Sequence, residues 1–206
     1  MRWLANHIEW HAALILFAFG TLAVNWRMDH PGLAIAIGIV GLLLFVASAR
    51  SAYLYKSTAL IDEYDERFFD KMRVERRGAA RFLLGQQPET PDGPTGEDDL
   101  EDVLSFFEAP LASQLKAGQI SAELTYNYFY HWVSLYYQSP VCQKYIERYC
   151  KEEAASYSDL RDLYGKLQEM EKASIEREKG SCKAEDYRLS SEKLKKYLEQ
   201  EARLRT

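Results

Sequence analysis

Apolar residues are concentrated at the start of the chain. Two long runs, residues 8–24 and Pro31–Ala49, flank a short polar stretch that begins at Asn25, and charged residues become frequent only after Arg50. Each run is close to the ~20 residues that a helix needs to cross a hydrocarbon core, and tryptophan or tyrosine flanks both runs. A cleaved signal peptide is the alternative for the first run, but no A-x-A site follows it. We predict a two-helix transmembrane hairpin over residues 1–49.

Basic residues predict how this hairpin is oriented. The connecting loop holds only Arg27, against Asp29, whereas Arg50 and Lys56 follow the second run and further arginines come after them. Cytoplasmic flanks carry the excess of lysine and arginine. We therefore expect an inner (cytoplasmic) membrane protein with both termini in the cytoplasm.

Small residues recur along the second run at helical spacing. Such residues let helix backbones approach closely in a membrane. They are expected either to seat the first span of the same chain or to contact another protomer. The residues are Gly32, Ala34, Ala36, Gly38 and Gly41.

Residues 50–85 predict a helical neck that continues out of the membrane. Leu54, Ile61 and Phe68 are seven residues apart, with Tyr64 and Met72 on the same side. A seven-residue apolar row is typical of a short coiled coil, and it favours a homo-oligomer.

The end of the neck is basic, and a proline- and glycine-rich linker follows it at residues 86–97. The basic side chains predict contact with an anion or a protein partner, and the alternative is an ordinary solvated helix face. They are Arg73, Arg76, Arg77 and Arg81.

Residues 98–206 predict an all-α cytoplasmic bundle of four to five helices. Leu100–Lys116 shows i, i+3, i+4 apolar spacing, and Ser121 and the pair Ser139-Pro140 mark the next two helix starts. Ser156 or Ser158 begins a fourth, long helix. Ser190 or Ser191 begins a last one, which is the most polar and the least certain to pack.

The helix predicted after Ser121 contains the aromatic stretch LTYNYFYHWVSLYY, residues 124–137. Aromatic side chains on nearly all sides indicate a helix surrounded by its neighbours. The alternative is a base-stacking or nucleotide-type pocket, since aromatic faces stack on bases. The candidate ligand-binding residues are Tyr126, Tyr130, His131, Trp132 and Tyr136.

Charge and cysteine content narrow the function further. The net charge of −5 is carried after residue 96, where 16 basic and 21 acidic side chains lie, so we expect no duplex nucleic acid as a partner. The three cysteines form no C-x-x-C pair and are expected to be free thiols. No metal or cofactor is predicted.

The runs DLEDVLSFFEAPLASQLKAGQISAELTYNYFYHWV and YIERYCKEEAASYSDLRDLYGKL resemble the domain of unknown function 4760 family over roughly residues 98–168. The resembling features are an F-F-E helix, a K-x-G turn, an aromatic helix and a closing Y-x-x-L-x-x-L. Many members carry N-terminal membrane spans, and the family has no agreed activity. The resemblance therefore implies a membrane-tethered helical fold without supplying chemistry.

The sequence leaves two functions open. Walker A, G-x-S-x-G and H-E-x-x-H motifs are absent, and only Glu108, Glu123 and His131 could form an acid–base set, so we expect no enzyme. The first function is a cytoplasmic sensor on a membrane hairpin, an oligomeric effector of bacterial defence gated by a small nucleotide-type ligand. The alternative is a membrane-anchored adaptor that recruits a protein partner, with no ligand and no pore.

Overall fold

The computed structural model describes residues 20, 31–86, 96–152 and 157–204. Within these ranges the chain consists of helices and their connections, with no strand, which confirms the all-α class. The chain divides into two compact units, Met1–Lys56 and Ser57–Thr206. The predicted neck, residues 50–85, is therefore shared between them, and from Ser57 onward it belongs to the helical domain.

The helices follow one another along the chain with short breaks. The first part contains α1 (Pro31–Glu66), a π-helical segment π1 (Arg67–Lys71), α2 (Arg73–Leu83), α3 (Gly96–Phe106), a second segment π2 (Phe107–Ala112) and α4 (Ser113–Lys116). The second part contains α5 (Ala122–Tyr137), α6 (Pro140–Glu152), α7 (Ser158–Lys179), the single turn α8 (Ala184–Tyr187) and α9 (Ser191–Glu201).

Among the residues that the structure describes, one helical stretch is long and apolar enough to cross a membrane. It begins at Gly38 and ends at Lys71, and only 6% of its most apolar 18 residues is buried. Leu43 and Leu44 are more than half exposed, as is most of the run from Ile39 to Val46. The second predicted span thus lies in a helix with exposed apolar side chains. The first predicted span, apart from Gly20, lies outside the described residues.

The small-residue face of this helix is described only in part. The burial of Gly32 and Ala34 is not described, and Ala36 is exposed. A Cβ built on Gly38 or Gly41 would meet no described atom within 4 Å. The predicted packing role of these residues stays a prediction.

Two of the three residues of the seven-residue row lie in the protein's own core. Ile61 and Phe68 are fully buried, and the Phe68 ring lies 5.3 Å from Phe106 and 6.0 Å from Phe129, centroid to centroid. Phe68 therefore packs on α3 and α5 of the same chain, and the burial of Ile61 and Phe68 requires no partner helix. Leu54, 41% exposed, belongs to the other unit.

Two helices that the sequence predicts as continuous contain π-helical segments. The predicted helix Ser51–Leu84 changes its hydrogen bonding at π1, where the Met72 amide donates to the Arg67 carbonyl at 3.0 Å, and it breaks at Met72. The predicted helix Leu100–Lys116 begins earlier, at Gly96, and contains Pro110 within π2. Proline has no amide hydrogen to donate, and the widened turn absorbs its ring.

Helix starts agree with the sequence in position more often than in mechanism. Ser190 precedes α9 and accepts a hydrogen bond from the Lys193 amide at 3.3 Å, as predicted. Ser121 precedes α5, but its side chain does not cap the helix. Its backbone amide donates instead to Ser57 Oγ at 2.6 Å. This bond fixes the start of α5 against α1.

Helices α2 and α3 cross closely because glycine lies at the contact. A Cβ on Gly96 would lie 2.8 Å from Phe82 Cβ and 2.9 Å from the Gly78 carbonyl oxygen. A Cβ on Gly78 would collide with the Asp99 carboxylate and lie 3.0 Å from Asp99 Cβ. Hydrogen is therefore the only substituent that this crossing accommodates at Gly78.

Gly78→Ala should lower the free energy of unfolding by about 1–3 kcal/mol, the usual cost of overpacking. Gly165→Ala is the matched control, because it also lies inside a helix and its Cβ would meet nothing within 4 Å. The control should raise stability by about 0.5–1 kcal/mol through helix propensity. Thermal melting of the intact chain in mild detergent, followed by circular dichroism, measures both. Equal effects of the two variants would contradict the close crossing.

Candidate functional site

A buried arginine joins three helices of the domain. The Arg76 side chain, on α2, is 3% exposed and forms an ion pair with Glu201 of α9, whose side chain is 7% exposed. Arg76 Nε and Nη2 donate to Glu201 Oε2 at 2.9 and 2.6 Å. The Tyr136 hydroxyl of α5 donates to the Arg76 carbonyl at 3.3 Å. This arrangement, the Arg76 centre, links residues far apart in sequence.

Aromatic rings surround the guanidinium of Arg76. Its central carbon lies 4.5 Å from the ring centroid of Phe68, 4.8 Å from Phe69 and 4.7 Å from Trp132. A cation over ring faces is attracted by their quadrupoles, and the attraction is larger where water is excluded. The rings therefore offset part of the desolvation cost of a buried charge.

The π1 segment supplies carbonyl groups to the arginines of α2. Arg76 Nη1 donates to the Phe68 carbonyl at 3.2 Å, and Arg73 Nε donates to the Phe69 carbonyl at 2.9 Å. The last carbonyls of a helix have no intrahelical donor and need another partner. The change in helical register at π1 thus places backbone acceptors beside the guanidinium groups.

Helix α2 also binds the chain that ends α9. Arg77 Nη1 donates to the Leu204 carbonyl at 3.2 Å, and Arg81 Nε donates to the Ala202 carbonyl at 3.3 Å. Cations are stabilising near a helix C-terminus because of the helix dipole. Helix α9, the most polar of the predicted helices, therefore packs on α2. Its residues Leu198, Glu201 and Ala202 are buried.

The four arginines predicted as an anion contact have different surroundings. Arg76 is buried and paired with Glu201, so it is not available to an external anion in this conformation. Arg77 and Arg81 bond to backbone near the end of α9. Arg73 pairs with Asp70 at 2.7 Å, and both side chains are about half exposed. Internal contacts thus account for the conspicuous basic run.

The five predicted ligand residues all lie on α5 but face different neighbours. Tyr126 and Tyr130 stack with centroids 5.3 Å apart. The Tyr126 hydroxyl donates to Glu171 of α7, and the Tyr130 hydroxyl donates to the Tyr187 carbonyl of α8 at 3.3 Å. Burial and the nearby Glu171 raise the pKa of Tyr126 to about 12. These two rings connect α5 with α7 and α8.

The other three face α2 and α9. Trp132 packs on Phe69 with centroids 5.2 Å apart, and Tyr136 is fully buried. His131 lies edge-on to Tyr197 of α9, with centroids 4.8 Å apart, and partial desolvation lowers its pKa. The structure therefore does not bring the five residues into one pocket.

The predicted acid–base set is not assembled either. The Glu108 carboxylate accepts hydrogen bonds from the backbone amides of Asp159, at 3.2 Å, and Leu160 at the start of α7. Burial raises the pKa of Glu108, while those amide donors act in the opposite direction. Glu108 thus caps a helix whose own N-cap residue, Tyr157, makes no side-chain cap bond. Glu123 is exposed in the first turn of α5.

A second buried carboxylate lies at the α2–α3 crossing. Asp99 is 8% exposed, and burial together with the negative charges of Glu75, Asp102 and Asp98 raises its pKa to about 6, with Arg77 acting in the opposite direction. Glu75 Oε2 is buried without a hydrogen-bond partner among the described residues. Carboxylates from neighbouring helices are therefore close enough to repel each other.

Within the ranges that the structure describes, no group of three or more His, Cys, Asp or Glu residues is arranged to hold a metal ion. Cys142 and Cys182 are free thiols, as the sequence predicts. Burial raises the pKa of Cys142 to about 12, so this thiol stays protonated at neutral pH.

No family model, no curated protein and no solved structure matches this chain. The comparisons add no support to the resemblance to the domain of unknown function 4760 family, which stays a prediction. Function is therefore inferred from the residues and their contacts.

Arg76→Met should lower the free energy of unfolding by about 3–5 kcal/mol, because it leaves the Glu201 carboxylate buried and unpaired. Arg76→Met with Glu201→Met should recover most of this loss, since an apolar pair needs no desolvation of charge. Guanidinium unfolding of the detergent-solubilised chain provides the double-mutant cycle. The cycle also needs Glu201→Met alone. If the losses of Arg76→Met and Glu201→Met simply add in the double variant, the ion pair is not coupled as the geometry implies.

Asp99→Asn should raise the melting temperature at pH 7.5, and the gain should shrink as the pH falls towards 4. The pKa of Asp99 is higher in the folded state than its ordinary value of 3.8. The folded protein therefore holds the proton more tightly, and the carboxylate costs stability increasingly as the pH rises through about 6. Melting curves across this range, with Asp162→Asn on the exposed face of α7 as control, measure the effect. A gain that does not change with pH would contradict this.

Proposed function

We propose that this chain is a membrane-anchored adaptor whose cytoplasmic helical domain acts through protein contacts. The anchor is a two-span hairpin in the inner membrane, with both termini in the cytoplasm. The exposed apolar helix beginning at Gly38 and the surplus of basic residues after it support this anchor. The lipid bilayer is then its first partner.

The observation that favours an adaptor over a ligand-gated effector is the fate of the aromatic helix. Tyr126, Tyr130 and Tyr136 each have an internal hydrogen-bond acceptor, and Trp132 packs between Phe69 and Arg76. Buried tyrosine and tryptophan bring a large apolar area to a core when their polar atoms are satisfied. These side chains support the domain, and a nucleotide-type ligand would have to displace them.

The oligomeric, ligand-gated membrane effector of bacterial defence is the second proposal. The glycines of the second run, including Gly38 and Gly41, support it because they permit close helix packing within a bilayer. The seven-residue row no longer adds to it, since Ile61 and Phe68 are buried in the chain's own core. We expect neither proposal to involve catalysis, because Glu108 is engaged at the start of α7.

Leu43→Lys and Phe45→Lys in the second proposed span, combined with Leu14→Lys and Phe17→Lys in the first, should release the protein from the membrane fraction. Each lysine near the middle of a span costs about 2.5–3.5 kcal/mol of insertion free energy. Ser51→Lys with Ala59→Lys is the matched control, because both positions are exposed in the same helix but lie beyond the apolar run. Carbonate extraction of cell membranes, followed by immunoblotting, gives the distribution. Unchanged membrane retention of the variant with lysines in both spans would contradict the anchor.

The membrane potential of cells that express the chain distinguishes the two proposals. It is recorded with a voltage-sensitive dye. The adaptor predicts no depolarisation on expression of the unmodified chain, and none when residues 1–49 are replaced by an unrelated two-span anchor. Depolarisation that occurs only with the native spans would support the effector and overturn the adaptor.

A further inference from the structure

The α9 helix lies in a groove whose central residue is Arg76. Its buried side is the row Leu194, Leu198, Glu201 and Ala202, at spacings of four, three and one residues, with Tyr197 beside it against His131. An amphipathic helix that places i, i+4, i+7 anchors into a groove is a common mode of protein recognition. The Glu201 carboxylate supplies charge complementarity at the centre of this contact.

The groove is lined by residues remote from α9 in sequence. Arg76 and Phe68 come from α2 and π1, and Trp132 comes from α5. The most extensive described contacts of α9 are with α2 and α5. An isolated helix of this length is marginal in water, so α9 depends on the groove to stay helical.

The connection to α9 is long and mostly exposed. After α7 ends at Lys179, residues 180–190 contain only the turn α8, and Gly180 has a φ of 74°. Described hydrogen bonds hold this stretch to α5 and to its C-cap residue: the Tyr130 hydroxyl donates to the Tyr187 carbonyl, and the Leu189 amide donates to Gln138 Oε1 at 2.8 Å. Extended, residues 180–190 would reach roughly 36 Å. That length allows α9 to leave its own groove and enter another.

We propose that the Arg76 groove accepts the α9 helix of a second copy of this chain, so that α9 is exchanged between copies. Every contact made by α9 within one chain can be made identically between two chains, and this makes such an exchange a low-cost route to a dimer. The inference rests on the proposed function, because anchoring in one bilayer raises the local concentration of copies. It names the protein partner as another copy of the chain.

Two complementary variants test the exchange. Glu201→Ala leaves the groove intact but removes the carboxylate of the incoming helix, whereas Arg76→Met removes the guanidinium of the groove and keeps the helix intact. Alone, neither chain can form the full contact with itself or with another copy of the same variant. A mixture can, because α9 of the Arg76→Met chain fits the groove of the Glu201→Ala chain.

Native mass spectrometry of the intact chains in mild detergent counts the products. Mixing the two variants should give a mixed dimer roughly tenfold more abundant than either homodimer, as expected for one restored charged contact. Glu199→Ala replaces Glu201→Ala in the control, since Glu199 lies on α9 and pairs with Lys195, at 4.0 Å, near the surface. A mixed dimer no more abundant than random mixing gives would overturn the exchange.

Hydrogen exchange on the unmodified chain keeps the proposal testable if a variant fails to fold. Amides of α9 should exchange at least roughly tenfold faster than those of α2 and α5, through an opening smaller than global unfolding. Equal protection of the three helices would overturn the proposal. Either failure leaves the carbonate-extraction result standing, so loss of the exchange and loss of the anchor are distinguishable.

Discussion

The ion pair between Arg76 and Glu201 is the interaction on which the architecture of the domain depends. It joins residues 125 positions apart and lies where α2, α5 and α9 meet. Two charges removed from water are stable only when their geometry is good and the remaining polar atoms are satisfied. The rings of Phe68, Phe69 and Trp132 surround the guanidinium and offset part of its desolvation cost. The Phe68 carbonyl accepts a hydrogen bond from Arg76 Nη1, a nitrogen that does not bond to Glu201.

That requirement explains features that otherwise look like defects in helices. The widened turn at π1 aligns the Phe68 carbonyl with Arg76, while the Phe68 ring contacts Phe106, Phe107 and Phe129. The widened turn at π2 accommodates Pro110 and brings Glu108 to the start of α7. π-Helical turns are rare and are kept where they re-aim side chains. Here both of them direct groups towards long-range contacts.

The sequence predicted what local rules control. The helical class, the starts of α5, α6 and α9, and the apolar second run follow from periodicity, capping chemistry and hydropathy. The aromatic helix α5 packs against its neighbours, as its aromatic side chains on nearly all sides indicated. The contacts of each aromatic residue depend on tertiary packing. The five candidate ligand residues, all on α5, therefore contact several different helices.

The central pairing had no local signal. Glu201 lies in a helix rich in charge, and only its position seven residues after Leu194 places it on the apolar side. The basic run containing Arg76 reads as a solvated surface when taken alone, because a sequence window cannot show which charge is covered by a distant helix. The coiled-coil interpretation of Leu54, Ile61 and Phe68 had the same limit. A row of apolar residues does not specify whether it packs against its own chain or against another.

The cap that Glu108 provides to α7 has a consequence for how the sequence can vary. Most helices depend on the residue just before them for their first amide groups, and α7 receives its acceptor from a side chain about fifty positions upstream. Tyr157, the residue that precedes α7, makes no side-chain cap bond of its own. A change at Glu108 would leave the amides of Asp159 and Leu160 without this acceptor, and the loss would have to be compensated from another helix.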